Sequence, residues 1–353
     1  MQRGLVSMSK LPRKILIIRL GAIGDVTNAL IVATAIKAED ATIEIGWVAH
    51  GLVLPLLEGH PSVDRVHHWQ RGGGFSEVRR LMRELREAGY ELVIDLQRIF
   101  KSGLLASISG APRVLGFDRD RCKEFAWFFS NEKIAKGDRH AHMVDQYMEF
   151  VRYLQLEQAE PELLLPSEDA AEEWAQQIVD ELGAAPILIN LGATKPANRW
   201  VPGRFGELAV QAAERFERPV CLIGGPDDRA LFQSDLKQIE GARSVRDLVG
   251  STSLPELWAL ERRAALFVGL DTGPMHLAVA VGLPCVILFG AADHRRTGPY
   301  GDRNRIIRLD LACSPCNKRE CPLPRHDCME DIEIEQVLSA MSDQLAMTLP
   351  ESR

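Results

Sequence analysis

Three groups of side chains in this chain have types and spacings that could do chemistry. The first is Asp25, which ends the glycine loop Gly21-Ala-Ile-Gly-Asp25 directly after the apolar run Lys14-Ile-Leu-Ile-Ile-Arg-Leu20. A carboxylate placed there can take a proton from an incoming hydroxyl, although it could also simply cap the helix that follows. The second is Asp271-Thr-Gly-Pro-Met-His276, with Lys195 and Arg199 upstream. Asp271 and Thr272 are capping types, Pro274 suits a first helical turn, and Gly282 with Pro284 marks the helix end. The free amides of Thr272 and Gly273, at the positive end of a helix dipole, would then form a seat for a phosphate or pyrophosphate. Gly273 would let that ligand come close to the backbone. The third is Cys313-x2-Cys316-x4-Cys321-x6-Cys328. Four thiols at this spacing could enclose zinc or iron, or could be reduced and packed. A full tetrahedral shell would leave no open position, so a metal held there would be structural.

These groups need elements to position them. Short, almost continuously apolar runs at 14–20, 43–49, 63–69 and 92–96 read as buried strands. They alternate with helical spacing at 26–37, 52–57 and 76–88, which predicts an open parallel sheet. From Lys101 to His142 the pattern is irregular and basic, and it reads as surface loops and short helices, followed by a helix over 144–154. Pro161–Pro166 has linker character, and Ser167 opens a helix running to Leu182. The same alternation then restarts: strand 186–191, loop 192–195, helix 204–216, strand from Pro219, helix 254–264, strands before and after the helix at 273–281, and a final amphipathic helix over 332–347. The expectation is an α/β protein with two βα domains, 1–163 and 164–353. Ligands in such sheets bind outside the carboxyl ends of the strands. A carboxylate from one domain facing a pyrophosphate seat on the other, across a cleft, would transfer a group from an activated diphosphate donor to an acceptor hydroxyl.

A length of 353 residues suits two domains, and a formal net charge of −7 argues against a general nucleic-acid binder. Residues 1–13 are basic but lack a long apolar core, so they read as an untidy amino terminus rather than a signal peptide, with Met8 a candidate start. The most apolar stretch, around 276–292, is interrupted by Gly282 and Pro284 and does not read as a membrane span. Seven cysteines, with Cys122, Cys221 and Cys285 scattered, do not form a secreted disulfide framework; a cytoplasmic protein is expected.

Taken together, the motifs resemble the ADP-heptose lipopolysaccharide heptosyltransferases, metal-independent inverting glycosyltransferases of the GT-B fold. The resemblance spans nearly the whole chain. It rests on Arg19-Leu-Gly-Ala-Ile-Gly-Asp25, Val93-Ile-Asp-Leu-Gln97 with Lys101-Ser102, Gly192-Ala-Thr194 with Arg199-Trp200, Leu248-Val-Gly-Ser-Thr-Ser-Leu254, Asp271-Thr-Gly-Pro-Met-His276 and Arg296-Thr-Gly-Pro-Tyr-Gly301. It implies that Asp25 is the general base and that Arg199 assists the leaving diphosphate. Gly24, Thr194, Lys195, Thr252, Asp271, Thr272, Gly273 and His276 would bind the donor. The amino-terminal half is more similar to heptosyltransferase I, through Ile45-Gly-Trp-Val48 and Lys123-Glu-Phe-Ala-Trp127 leading to His140. That implies an anionic acceptor of the Kdo–lipid A type, met by Lys101, Arg113, Arg119 and Arg121, with peripheral contact at the cytoplasmic face of the inner membrane. The final helix is expected to pack back toward the first domain. No cofactor is required for catalysis on this reading, and a cysteine-bound zinc or iron would be structural. The pattern departs from the family after Gly290, where Ala291-Ala-Asp-His294 replaces the usual proline and hydroxyl residue. Two other readings share these motifs: a nucleotide-sugar epimerase of the same fold, and a non-enzymatic nucleotide-binding or metal-stabilised assembly protein.

Overall fold

The computed structural model describes residues 11–156 and 162–348. The basic amino terminus up to residue 10, the linker start at Pro161 and the last five residues lie outside the described residues. Two compact units divide the chain, one carrying the described residues up to Arg139 with Val144–Leu163, the other His140–Met143 with Leu164 onward.

Each unit is built on a parallel six-stranded sheet. The first contains β1 (Lys14–Ile18), β2 (Glu44–Ala49), β3 (Arg65–His68), β4 (Leu92–Asp95), β5 (Arg113–Gly116) and β6 (Glu132–Lys133), in the order β3-β2-β1-β4-β5-β6. The second contains β7 (Ile187–Asn190), β8 (Val220–Ile223), β9 (Val245–Asp247), β10 (Leu266–Leu270), β11 (Cys285–Phe289) and β12 (Arg305–Arg308), in the order β12-β11-β10-β7-β8-β9. Read from its other edge, the second sheet has the same order as the first, with the winding direction reversing between β1 and β4 and between β7 and β10. Crevices at such reversals, outside the carboxyl ends of the strands, are where open α/β sheets bind ligands.

The central strands are apolar because helices cover both faces of a parallel sheet. Ile15–Ile18, Ile187–Ile189 and Val286–Leu288 are buried, and each such aliphatic side chain stabilises the fold by about 1.5–3 kcal/mol, an upper estimate. The helix Ile23–Glu39 buries residues on all sides, as a helix inside a core must. It starts three residues earlier than its apolar spacing predicts, so Asp25 sits in its first turn. Gly21 has φ +153°, a conformation that side-chain-bearing residues rarely adopt, and this sharp turn joins β1 to the helix.

The stretch 101–142 is more regular than its composition predicts: it holds the helix Phe100–Ile108, β5 and β6. β9, β12 and the helices Pro226–Leu231 and Gln233–Gln238 are likewise absent from the sequence expectation. β6, β9 and β12 are edge strands with mixed, partly exposed residues, so they carry no apolar run to read. Ser167 does not cap the next helix, which runs Asp169–Leu182 behind Glu168. The final helix, Ile334–Thr348, commits Val337, Leu338 and Met341 to the second unit's core.

Candidate functional site

At the end of β1, the Arg19 guanidinium forms an ion pair with Asp25 through Nη2; the Arg19 side chain is 7% exposed and that of Asp25 40%. Burial works to lower the Arg19 pKa, but Asp25, Tyr147 and Asp95 hold it above the ordinary guanidinium value, so Arg19 stays a cation. Its carbonyl accepts the Trp47 indole N–H at 3.0 Å, and the next amide, Leu20 N, donates to Gln97 Oε1 at 2.8 Å. Ala22 N donates to Asp25 Oδ2 at 3.4 Å. Asp95, at the end of β4, is buried and accepts from Gln97 N (2.9 Å), Arg98 N (3.4 Å) and Ser102 Oγ (2.9 Å). Burial nevertheless pushes its pKa up. The loops after β1 and β4 are thus one network that presents a half-exposed carboxylate. Arg19, Asp95, Gln97 and Ser102 all lie within the motifs read from the sequence, but their linking role emerges only here; the signal was an arginine closing an otherwise apolar strand.

The four basic candidates for an anionic acceptor separate into two kinds. Lys101, on the helix Phe100–Ile108, and Arg119 are exposed. Arg113, partly exposed, and Arg121, buried, are instead paired with carboxylates of the same unit. Arg113 forms a two-pronged pair with Glu132 at 2.6 and 3.0 Å, joining β5 to β6. Arg121 is buried between Asp118 (2.5 Å) and Glu149 (2.6 and 2.9 Å), with Ala135 O also accepting from it. Isolated charges could not be buried this way; paired and hydrogen-bonded ones can.

In the second unit the loops after β7 and β10 are tied by two buried asparagines. Asn190 Nδ2 donates to Gly192 O at 3.0 Å and to Thr272 Oγ1 at 3.4 Å; Asn198 Nδ2 donates to Asp271 Oδ2 at 3.3 Å. Thr272 is the residue before the helix Gly273–Ala280, but its hydroxyl turns back to Leu270 O (3.3 Å) and makes no cap bond to the first turn. The Thr272 hydroxyl thus does not occupy the amides of that turn, the kind of helix start that receives anions. Pro274 occupies the first turn and Gly282, at φ +77°, follows the last, as the spacing predicts.

Thr194 and Lys195 are exposed on the loop after β7, and Arg199 Nε donates to Ala193 O at 2.9 Å. His276 is buried in the helix after β10. Thr252 lies apart: it follows β9, two strands from β7, next to Ser253, whose hydroxyl caps the helix Leu254–Glu261. Asp228, absent from the sequence candidates, packs over this site so closely that a Cβ at Gly192 would meet its Oδ2 at 2.1 Å. It accepts from Gly225 N at 2.8 Å; burial raises its pKa, while Arg199 pulls the other way.

Cys313, Cys316, Cys321 and Cys328 are free thiols around one cavity of about 160 Å³ that His326 also lines. Burial, and then the charges of the other three, push the Cys328 thiol up to about 11. Among the described residues, however, no group of three or more His, Cys, Asp or Glu side chains has an arrangement that could hold a metal ion. The thiols as placed do not fit a metal shell: Cys313 and Cys316 are exposed, Cys321 is partly buried and Cys328 is buried. The segment they punctuate braces the site's loops: Arg319 O accepts from Ala197 N (3.1 Å), and Asn317 N donates to Ala291 O (2.7 Å).

Two parallel sheets of this strand order, each with its polar loops at the reversal point, are the architecture of the GT-B fold. The chain belongs to glycosyltransferase family 9, the heptosyltransferases, whose family model matches residues 78–326. It is 25% identical over 338 residues to the lipopolysaccharide core heptosyltransferase OpsX of Haemophilus influenzae, covering 94% of this chain and 96% of that protein. A family 9 glycosyl transferase from Veillonella parvula has a similar fold, with a TM-score of 0.80 at 21% identity over 95% of this chain and 98% of that one. So does Escherichia coli heptosyltransferase WaaC, whose structure holds ADP-2-deoxy-2-fluoro heptose (TM-score 0.70, 21% identity, 95% and 100% covered). A UDP-GlcNAc 2-epimerase from Methanocaldococcus jannaschii is more distant, at a TM-score of 0.53 and 12% identity over 94% and 92%.

Proposed function

We propose that this glycosyltransferase moves heptose from ADP-heptose to a sugar hydroxyl of the lipopolysaccharide inner core, with inversion at the anomeric carbon. The observation that carries this reading is the Arg19–Asp25 pair at the reversal point of the first sheet, a half-exposed carboxylate that a buried network holds in the first turn of a helix. Asp25 takes the proton from the acceptor hydroxyl as its oxygen bonds to the anomeric carbon. The bond from that carbon to the diphosphate oxygen breaks, and ADP leaves with the electron pair. The second unit serves the departing anion: Arg199 and Lys195 supply positive charge, and the amides of Thr272 and Gly273 donate hydrogen bonds at the helix dipole's positive end. Lys101 and Arg119 are the cations for an anionic, Kdo-bearing acceptor, and that lipid-linked acceptor implies work at the inner-membrane face. Support comes from the family, from the heptosyltransferase OpsX relative and from the sugar nucleotide held by the WaaC neighbour.

The test is ADP release by purified protein supplied with ADP-heptose and a heptose-free core acceptor. Release that needs both substrates, with the heptosylated core as product, is expected. Conversion of the sugar nucleotide without any acceptor would replace this reading with an epimerase.

A further inference from the structure

Phe100, Phe125 and Phe128 are 49%, 75% and 75% exposed in the first unit; Phe128 N donates to Phe125 O at 3.0 Å, and the turn they share packs against the helix that begins at Phe100. The Phe100 ring meets Phe129 edge-on at 5.2 Å, Phe129 meets Phe128 at 6.0 Å, and Phe128 meets Trp127 at 6.3 Å. Arg119 lies over the Trp127 ring, 4.8 Å from its centroid, and Lys101 and Lys123 are exposed beside Phe100 and Phe125 in the chain.

The platform is anchored. Gly103 leaves room for Phe129 against the helix Phe100–Ile108, since a Cβ there would fall 2.5 Å from its ring. Lys123 N donates to Arg98 O at 2.9 Å, and Phe100 N to Glu124 Oε2 at 3.3 Å. Glu124 and Phe125, at φ +52° and +60°, are successive left-handed residues without being glycine, a conformation that persists only where its surroundings impose it.

We propose that this platform docks the enzyme on the surface of an anionic lipid bilayer, with the phenylalanine rings entering the interface and Lys101, Arg119 and Lys123 meeting the headgroups. Aromatic bodies beside cationic tips match the apolar-to-polar gradient of a bilayer interface. The exposed cations beside the rings select an anionic surface locally, against the repulsion expected from the chain's net charge of −7. Among the described residues no helix is long and apolar enough to cross a membrane, which leaves docking at the interface. The inference deepens the proposed function, resting on its lipid-linked acceptor for purpose, while the docking itself needs no acceptor.

The experiment sediments the full chain with sucrose-loaded vesicles of phosphatidylcholine, with or without phosphatidylglycerol, all free of lipopolysaccharide. Binding is expected on the anionic vesicles and should weaken with added salt. Phe125→Ser/Phe128→Ser should lower partitioning about tenfold or more, and Lys123→Ser about fivefold. Thermal melts should be unchanged, because the replaced groups are exposed. The double variant should also keep its turnover on a water-soluble, delipidated acceptor. Equal binding by parent and double variant would overturn the proposal, as would equal binding to neutral vesicles. So would a dimer in solution that the double variant dissolves, since the occupant would then be a second copy. Absence of heptosyl transfer on any acceptor, with vesicle binding still dependent on the two phenylalanines, would remove the proposed acceptor and leave the docking surface standing.

Discussion

The crevice at the ends of β1 and β4 and the crevice at the ends of β7 and β10 occupy the same place in the same strand order, yet opposite means hold them together. In the first, charge does the tying: Arg19 pairs with Asp25 and feels the buried Asp95. In the second, neutral amides do it, with Asn190 reaching Gly192 and Thr272 and Asn198 reaching Asp271. Topology therefore locates a ligand site in both units, while loop residues decide its chemistry. On the proposed reading, the first crevice offers a proton acceptor, and the second offers donors and cations to an anion.

The comparison breaks most sharply at Asp25. Asp25→Asn keeps the shape but loses the proton acceptor, so kcat should fall by about two to four orders of magnitude. Stability should fall by about 1–3 kcal/mol, because the buried Arg19 cation loses the charged partner beside it while the half-exposed amide can still accept a hydrogen bond. Near-normal turnover by a folded Asp25→Asn protein would reduce the residue to a helix-terminal ion pair. In the second crevice, Arg199→Ala should weaken ADP-heptose binding about ten- to hundredfold and leave acceptor binding unchanged. Calorimetric titration with each ligand decides it, and a loss confined to the acceptor would exchange the roles of the two units.

Asn190→Ala tests the neutral tie. Gly192 O and the Thr272 hydroxyl would each lose a partner, at a cost of about 1–3 kcal/mol in denaturant unfolding. The donor KM should rise while the acceptor KM holds; an unmoved donor KM would make Asn190 a packing residue only.

Buried carboxyls sharpen the contrast further. Asp95 has three hydrogen-bond donors, whereas both oxygens of Glu261, in the second unit, are buried without a partner and burial pushes its pKa well above 4.5. A raised folded value means that the carboxyl's contribution to stability is complete below its unfolded pKa and is lost as pH rises through the folded one. The parent should thus become less stable as pH climbs above about 5, and Glu261→Gln should lack that component in melts across the range. Superimposable profiles would show that Glu261 is charged and solvated. The smallest expected effect is on the thiols: a strong chelator should alter neither melting nor turnover, since Cys313, Cys316, Cys321 and Cys328 are not placed as a metal shell. Stoichiometric metal in protein purified under reducing conditions, with a melt lowered by chelation, would reverse that reading.

Much of the architecture is local and was legible in the chain itself. The apolar runs around Ile15–Ile18, Ile187–Ile189 and Phe267–Leu270 mark strands because a strand covered on both faces has no polar side to display. The helix Arg204–Phe216 has the bounds its periodicity predicts. Gly282 and Pro274 bracket their helix because only certain residues fit those backbone positions. Asp25 and the Asp271–Gly273 turn stood out because each follows such a strand directly.

What only the tertiary structure decided depends on residues far apart in sequence. Arg113 and Arg121 have the composition of a basic acceptor surface, and nothing near them announces Glu132, 19 residues away, or Glu149, 28 away, which occupy them. Asn198 and Asp271 are 73 residues apart, and their contact follows from β7 lying beside β10, an order that no single run of residues encodes. Edge strands such as β6 and β12 were hidden for a related reason: half exposed, they are defined by the neighbour they pair with rather than by an apolar pattern of their own. The sequence by itself determined the buried central strands, most of the longer helices and which loops carry reactive groups, because those are properties of short windows. Which charges are spent on one another and which remain for a ligand was settled by folding, because burial and pairing belong to the assembled chain.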